Sequence, residues 1–156
     1  MQGGQAHGAA LAPSGTLTAS QKDELVYMVE EEKLAHDVYV ALAAKYPSIV
    51  QFSRIAKSES RHQDALRTLL SRYGLADPTI GLAAGEFSTA AFQSLYDSLV
   101  AQATDAASAL AVGVSIEKLD IADLTTALNG LTAPDVVQAY TNLRKGSEQH
   151  LAAFSR

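Results

Sequence analysis

The sequence predicts an all-α protein: an antiparallel four-helix bundle with one long crossover that contains a short helix. Three observations point there. The chain is rich in Ala and Leu, has only 4 Pro and no Trp, and is 47% hydrophobic, a composition that favours helix. Apolar residues recur at helical spacing in four long segments, and short links with turn residues join them into two pairs. About 30 residues of weaker periodicity separate the pairs, enough to run the length of a bundle.

The elements follow in order. Residues 1–19, rich in Gly, Ala, Ser and Thr, are expected to form a disordered arm before a single bundle domain over 20–156. A first helix is expected from about Ser20, an N-cap with Asp23 and Glu24 in the first turn, to about Tyr46 before Pro47. Its inward stripe is Leu25, Met28, Val29, Glu32, Ala35, His36, Tyr39 and Leu42. Ser48 is expected to cap a second helix over about 49–73, ended by Gly74, with Phe52, Ile55, Ala56, Leu66 and Leu69 inward. The tight Pro47-Ser48 link makes these two antiparallel. Pro78, Gly81 and Gly85 break the crossover before a short amphipathic helix with Phe87, Phe92, Leu95, Tyr96 and Leu99. A third long helix is expected over about Asp105–Leu128, carrying Leu110, Val114, Glu117, Ile121, Leu124 and Leu128 inward until Asn129-Gly130 stops it. Thr132, with Pro134 and Asp135 behind it, opens a fourth, whose stripe is Val136, Tyr140, Leu143, Ser147, His150 and Phe154.

The composition removes several classes of function. A length of 156 residues suits one domain with a real core. A net charge of −5 gives no footprint for nucleic acid or an anionic membrane surface. With no Cys, disulfides, zinc-thiolate sites, iron–sulfur clusters and thiol nucleophiles are excluded, so a transition metal must be held by oxygen and nitrogen. No apolar run reaches the ~18 residues of a membrane span. The expected compartment is the cytoplasm, or the exterior after removal of a signal.

One spacing carries chemistry. Glu59-Ser-Arg-His62 places a carboxylate and an imidazole one turn apart on an apolar stripe, where an uncompensated charge costs several kcal/mol. Taken alone, such a pair is a common core-edge feature. Glu32, Glu59, His62, Glu117 and His150 together all fall on inward faces, and a bundle that holds two metal ions needs Glu and Glu-x-x-His contributions in this order. Carboxylates bridge two cations and offset their charge, while imidazole adds a directional bond to iron.

These residues also sit in segments with a family resemblance. Glu30-Glu-Glu-Lys-Leu-Ala-His-Asp-Val-Tyr39 resembles the Glu-Glu-Lys-Leu-Ala-Arg-Asp-Val-Tyr signature of an uncharacterised bacterial, rubrerythrin-related branch of the ferritin-like superfamily. Glu59-Ser-Arg-His62, Ile116-Glu-Lys-Leu-Asp-Ile-Ala-Asp-Leu124 and Asn142-Leu-Arg-Lys-Gly-Ser-Glu-Gln-His-Leu-Ala-Ala-Phe154 extend the resemblance over about residues 20–155. It implies a ferritin-like bundle built to bind metal, with no settled activity.

Three departures from that pattern matter. Ser147 stands where a last bridging Glu is expected, and Glu148, two residues before His150, does not share its face. Asp120, three residues after Glu117, resembles the paired acids on the third helix of rubrerythrins and is the candidate to fill the gap. His36 replaces the usual Arg one turn after Glu32, either as a partner of that carboxylate or as an ordinary interhelical His. Lys118 replaces a second Glu and is expected to face away. Tyr39 is read as a hydrogen-bond donor or electron source at the centre, and Tyr140 as a packing or supporting residue. Glu30 and Glu31 are read as a solvated face, and His7 as tail.

The expected function is a non-haem metalloprotein with one or two ions of iron or manganese, zinc being a possible substitute. It would react with dioxygen or peroxide as an oxidase, peroxidase or ferroxidase, with electrons from an external donor, and a homodimer is the expected assembly. The alternative is a helical structural or interaction module with a vestigial or single-metal site.

Overall fold

Five helices form where the apolar spacing places them: α1 (Ala19–Lys45), α2 (Val50–Arg72), α3 (Ala90–Gln102), α4 (Ala106–Leu128) and α5 (Pro134–Phe154). They come from a computed structural model that describes residues 10–156, and there is no strand among the described residues. Helix starts depart from the sequence expectation in three places. Thr18 rather than Ser20 caps α1, in a capping box with Gln21, which puts Asp23 and Glu24 beyond the first turn. Ile49 rather than Ser48 precedes α2, with no side-chain cap. Ala133 rather than Thr132 precedes α5. Asp105 caps α4 in a box with Ser108, at the position the sequence indicates.

The start of α5 is satisfied from a distance. Asp135 N donates to Pro13 O at 3.2 Å, and the Asp135 carboxylate takes bonds from Val136 N, Tyr73 OH at 2.7 Å and Arg72 Nη1 at 3.0 Å. Arg72 also donates to Ala12 O, Tyr73 OH accepts from Gly15 N, and Leu17 is buried. Residues 10–18 are therefore packed against α2 and α5, because the carbonyls of Ala12 and Pro13 satisfy Arg72 and the free N–H of Asp135 while Gly15 N donates to Tyr73 OH. Within the arm expected over 1–19, residues 10–18 thus have fixed partners, while residues 1–9, His7 among them, lie outside the described residues.

Each long helix runs antiparallel to its neighbours. Glu32 meets His62 and Tyr39 meets Phe52 across α1 and α2, while Asp120 meets Ser147 and Gly113 meets Phe154 across α4 and α5. The pairs join through α2 against α5 and α1 against α4, and α3 lies on α1 and α4. The stripes of α2 and α5 are buried as their spacing indicates, with His62 partly exposed. On α4 the buried face is Ala109, Val112, Gly113, Ile116, Glu117, Asp120, Leu124 and Ala127, while Leu110, Val114, Ile121 and Leu128 are only partly covered. Small residues let α4 approach α5 closely: a Cβ on Gly113 would lie 2.8 Å from the Phe154 ring.

Helix α1 is enclosed on nearly every side. The α2–α3 connection and the start of α3 cover Glu30, and Glu31 is buried towards α4, which corrects the expectation of a solvated face. Ser88 and Thr89 hydroxyls donate to the Glu30 carboxylate. Lys33 Nζ reaches Asp37, Ala83 O and Glu86 O at 2.5, 3.0 and 2.9 Å. Two apolar clusters result, one around Tyr39, Phe52 and Phe154 and one around Leu25, Leu69 and Tyr140. A layer of acids and imidazoles separates them.

Candidate metal centre

Four helices aim their polar stripe residues into that layer. Glu32 comes from α1, Glu59 and His62 from α2, Glu117 and Asp120 from α4, and Ser147 and His150 from α5. Two groups have ligand atoms within 4.8 Å of one another: Glu32, Glu59 and His62, and Glu59, Glu117 and His150. Glu59 belongs to both, one oxygen facing each ring. His62 Nδ1 lies 2.9 Å from Glu59 Oε2 and 3.3 Å from Glu32 Oε2; His150 Nδ1 lies 2.9 Å from Glu59 Oε1 and 3.3 Å from Glu117 Oε1. The rings are 5.7 Å apart and nearly parallel.

The layer lacks enough donors. Glu32 and Glu117 are 0% exposed, Glu59 1% and Asp120 3%, yet each leaves one oxygen without a hydrogen-bond partner. His150 Nδ1 is close to two carboxylates but aligned for a hydrogen bond with neither. Among the described residues no Lys or Arg pairs with these four acids; their close ionisable partners are the two imidazoles. Burial, then the neighbouring Glu59 charge, pushes the Glu32 carboxyl up to about 8. Burial lifts Glu59 to about 7 against the opposing influence of the neighbouring His150 and Glu32. Burial and Glu32 hold Asp120 well above the usual carboxylate range. Burial disfavours charge on His150, but Glu117 and Glu59 override it and raise its pKa to about 10. An array that resists carrying its own negative charge is matched electrostatically to a cation.

Supporting contacts fix the array. Tyr39 OH donates to Glu117 Oε1 at 2.8 Å, and burial with the Glu117 charge keeps its phenol firmly protonated. Ser147 Oγ donates to Asp120 Oδ2, so the position without a carboxylate holds one that reaches it from α4. Two supports escaped the sequence reading. Ser58 Oγ lies 3.0 Å from His150 Nε2. Gly146 lets the α5 backbone pass the other face of His62, since a Cβ there would fall 2.8 Å from Nε2. Ser58 precedes Glu59 and Gly146 precedes Ser147, and that adjacency was the available signal.

Other candidates fall elsewhere. His36 turns its Nδ1 to Asp37 Oδ1 at 2.9 Å rather than to Glu32, joining the Lys33–Asp37 clamp on the crossover. Tyr140 is buried in the second apolar cluster, and its hydroxyl has no partner among the described residues, so it bonds to no acid of the layer. Lys118 and Glu148 are exposed, the first as expected. Glu31, not a candidate from sequence, is 2% exposed with both carboxylate oxygens unpartnered.

No helix is long and apolar enough to cross a membrane among the described residues. The chain is similar to Uncharacterized protein MJ0754 of Methanocaldococcus jannaschii, 41% identical over 145 residues that cover 92% of this chain and 78% of the relative. It is also similar to the crystal structure of hypothetical protein MJ0754 from Methanococcus jannaschii DSM 2661, with a TM-score of 0.89 at 40% identity over 93% of this chain and 83% of that one. An archaeal relative weakens the restriction to bacteria that the resemblance carried. The match of residues 21–156 shows that the chain belongs to the family described as Uncharacterized protein domain (DUF2202).

Proposed function

We propose that this chain is a ferritin-like, non-haem metalloprotein, a four-helix bundle with α3 in its crossover, whose central layer holds iron or manganese and reacts with dioxygen or peroxide. One observation carries the reading: four buried carboxylates, each with an unpartnered oxygen, converge with two imidazoles and, among the described residues, no Lys or Arg. Hydrogen bonds alone leave such a layer costly. An all-oxygen-and-nitrogen donor set fits iron or manganese, and zinc as a substitute. Glu32, Glu59 and His62 would hold one ion, and Glu59, Glu117 and His150 the other, with Asp120 lending its free oxygen beside Glu32.

A bound pair of such ions would supply two-electron redox chemistry towards the oxidant, with an external donor as the source of the electrons. The chain's own residues prepare that chemistry. Once His150 gives up one proton, keeping the other on Nε2 directed at Ser58 Oγ would leave the Nδ1 lone pair facing Glu59 and Glu117. Tyr39 keeps its proton and donates it in a hydrogen bond to Glu117 Oε1, so Oε2 stays free to bind. Ser147 does the same for Asp120. The apolar clusters on both sides exclude water, and the side chain of His62, 14% exposed, lies nearest to solvent.

The test is elemental analysis of protein expressed in medium supplemented with iron and manganese, beside Glu59→Ala and His62→Ala. The expected result is stoichiometric metal in the wild type, complete loss in Glu59→Ala and partial loss in His62→Ala. Metal-free wild-type protein, with variants of unchanged melting temperature, would leave a helical interaction module as the reading. Peroxide turnover with Fe(II) then separates oxidant chemistry from metal binding alone: fully loaded but inactive protein rejects the former.

A further inference from the structure

Glu31 has no part in the layer described above, yet its burial demands an explanation. It lies one residue before Glu32 and therefore points to a different side of α1, towards α4. At 2% exposure, neither of its oxygens has a hydrogen-bond partner. The charged groups that act on it most strongly are all acidic: Asp120, Asp123 and Glu32. Asp120 is itself buried, with Oδ1 unpartnered, and its other oxygen is held by Ser147. Asp123 is half-buried one turn further along α4, at the surface end, where Tyr27 OH donates to its Oδ2 at 3.4 Å. Acidic groups thus run inward from solvent through Asp123, Glu31 and Asp120 to Glu32.

We propose that Glu31, with Asp120 inside it and Asp123 at the rim, is an uptake position through which a hydrated divalent cation passes between α1 and α4 to the central layer. The proposal rests on reading that layer as a metal centre. Glu31 and its neighbours do not close to the 4.8 Å spacing of the two central groups, so an ion there keeps part of its water. Such a position binds weakly and exchanges fast, which suits transit. All its donors are oxygens, so it favours hard divalent cations and does not select among them. A buried carboxyl with two unpartnered oxygens, resisting charge on its own, is compensated when a cation arrives, and Asp120 passes that cation to Glu32, beside which it lies. Acidic lining of this kind raises association rates by 10-fold or more, on the order of 10–1,000-fold.

Stopped-flow uptake of Co2+ by the metal-free full chain, followed by its visible absorption, tests the proposal. Glu31→Gln should slow uptake roughly tenfold, and Asp123→Asn by a smaller factor, while final cobalt content and the final spectrum match the wild type. Circular dichroism verifies the fold, and the half-exposed Asp123→Asn variant keeps the test decisive if Glu31→Gln does not fold. Wild-type uptake rates in a folded Glu31→Gln protein, or in Asp123→Asn alone, overturn the transit position and leave the central reading intact. A slowed variant with reduced final cobalt also overturns it, making Glu31 a resident ligand. Wild-type protein that takes up no Co2+ at all overturns the central reading, and the path with it.

Discussion

The two halves of the central layer are built from matching pieces but are not equivalent. On α1 and α2, Glu32, Glu59 and His62 form a complete group, with His62 clasped between two carboxylates and flanked by the bare backbone of Gly146. On α4 and α5, the counterpart of Glu59 is Ser147, and His150 is braced by Ser58 from the opposite pair. The acid lost from α5 reappears as Asp120 on α4, held by the Ser147 hydroxyl, but beside Glu32 rather than in the group of Glu117 and His150. Negative charge is thereby concentrated in the first half. Glu59 compensates by offering one oxygen to each half. A symmetric motif in sequence thus gives a layer in which one residue is shared and the other donors are unequal.

The largest break in that comparison comes from the shared residue. Glu59→Gln keeps the shape but removes the charge from both groups, and it is expected to abolish binding at both positions, as read by metal content after loading with Mn2+. Next come the two imidazoles. His62→Ala and His150→Ala are each expected to weaken one ion by about 10–100-fold while sparing the other, so that each variant retains about half the wild-type metal. If either substitution empties both positions, the halves act as one unit and the inequality drawn above has no thermodynamic meaning.

Two glycines sharpen the comparison at smaller cost. Gly146→Ala drives a methyl to 2.8 Å from His62 Nε2, and Gly113→Ala drives one to 2.8 Å from the Phe154 ring. Both are expected to lower stability by about 1–3 kcal/mol in chemical denaturation. Only Gly146→Ala should also lower metal content, because Gly113 faces the apolar cluster around Tyr39 and Phe52 rather than an imidazole. Equal metal loss in the two variants would show that packing, not the position of His62, limits binding.

What could be read from sequence divides along physical lines. Helices α2 and α5 each bury one face, and their stripes carry Glu59, Ser147 and His150 inward and leave His62 partly exposed. Helix α1 is covered by α2, α4, α3 and the crossover, so its pattern does not distinguish inside from outside, and Glu30 and Glu31 were assigned to solvent. On α4 the close approach rests on Gly113 and Ala109, which carry too little apolar weight to set the phase, so the larger Leu110 and Val114 appeared inward. Glu117 and Asp120 still fell on the buried face. Ser58 and Gly146 could not be found from periodicity, because their roles depend on contact between α2 and α5.

The smallest expected effect is a pH dependence that metal should reverse. In the metal-free protein, Glu32 and Glu59 titrate near 8 and 7, above the 4.5 of an unperturbed Glu. Between those values the folded state binds more protons than the unfolded state, so their contribution to stability falls as pH rises. His150, raised from 6.5 to about 10, contributes stability that is fully present below 6.5 and lost as pH rises towards 10. Asp37 runs the other way: burial opposes its charge, but His36 and Lys33 hold its carboxyl below 3.8, so its contribution is lost only in acid. The metal-free melting temperature should therefore drop by several degrees between about pH 5.5 and pH 8.5. Saturating Mn2+ needs the same groups deprotonated, so with metal the temperature should rise across that interval. A metal-free temperature that climbs with pH would show that the layer is solvated and that its acids do not oppose one another. The two halves would then differ in sequence only.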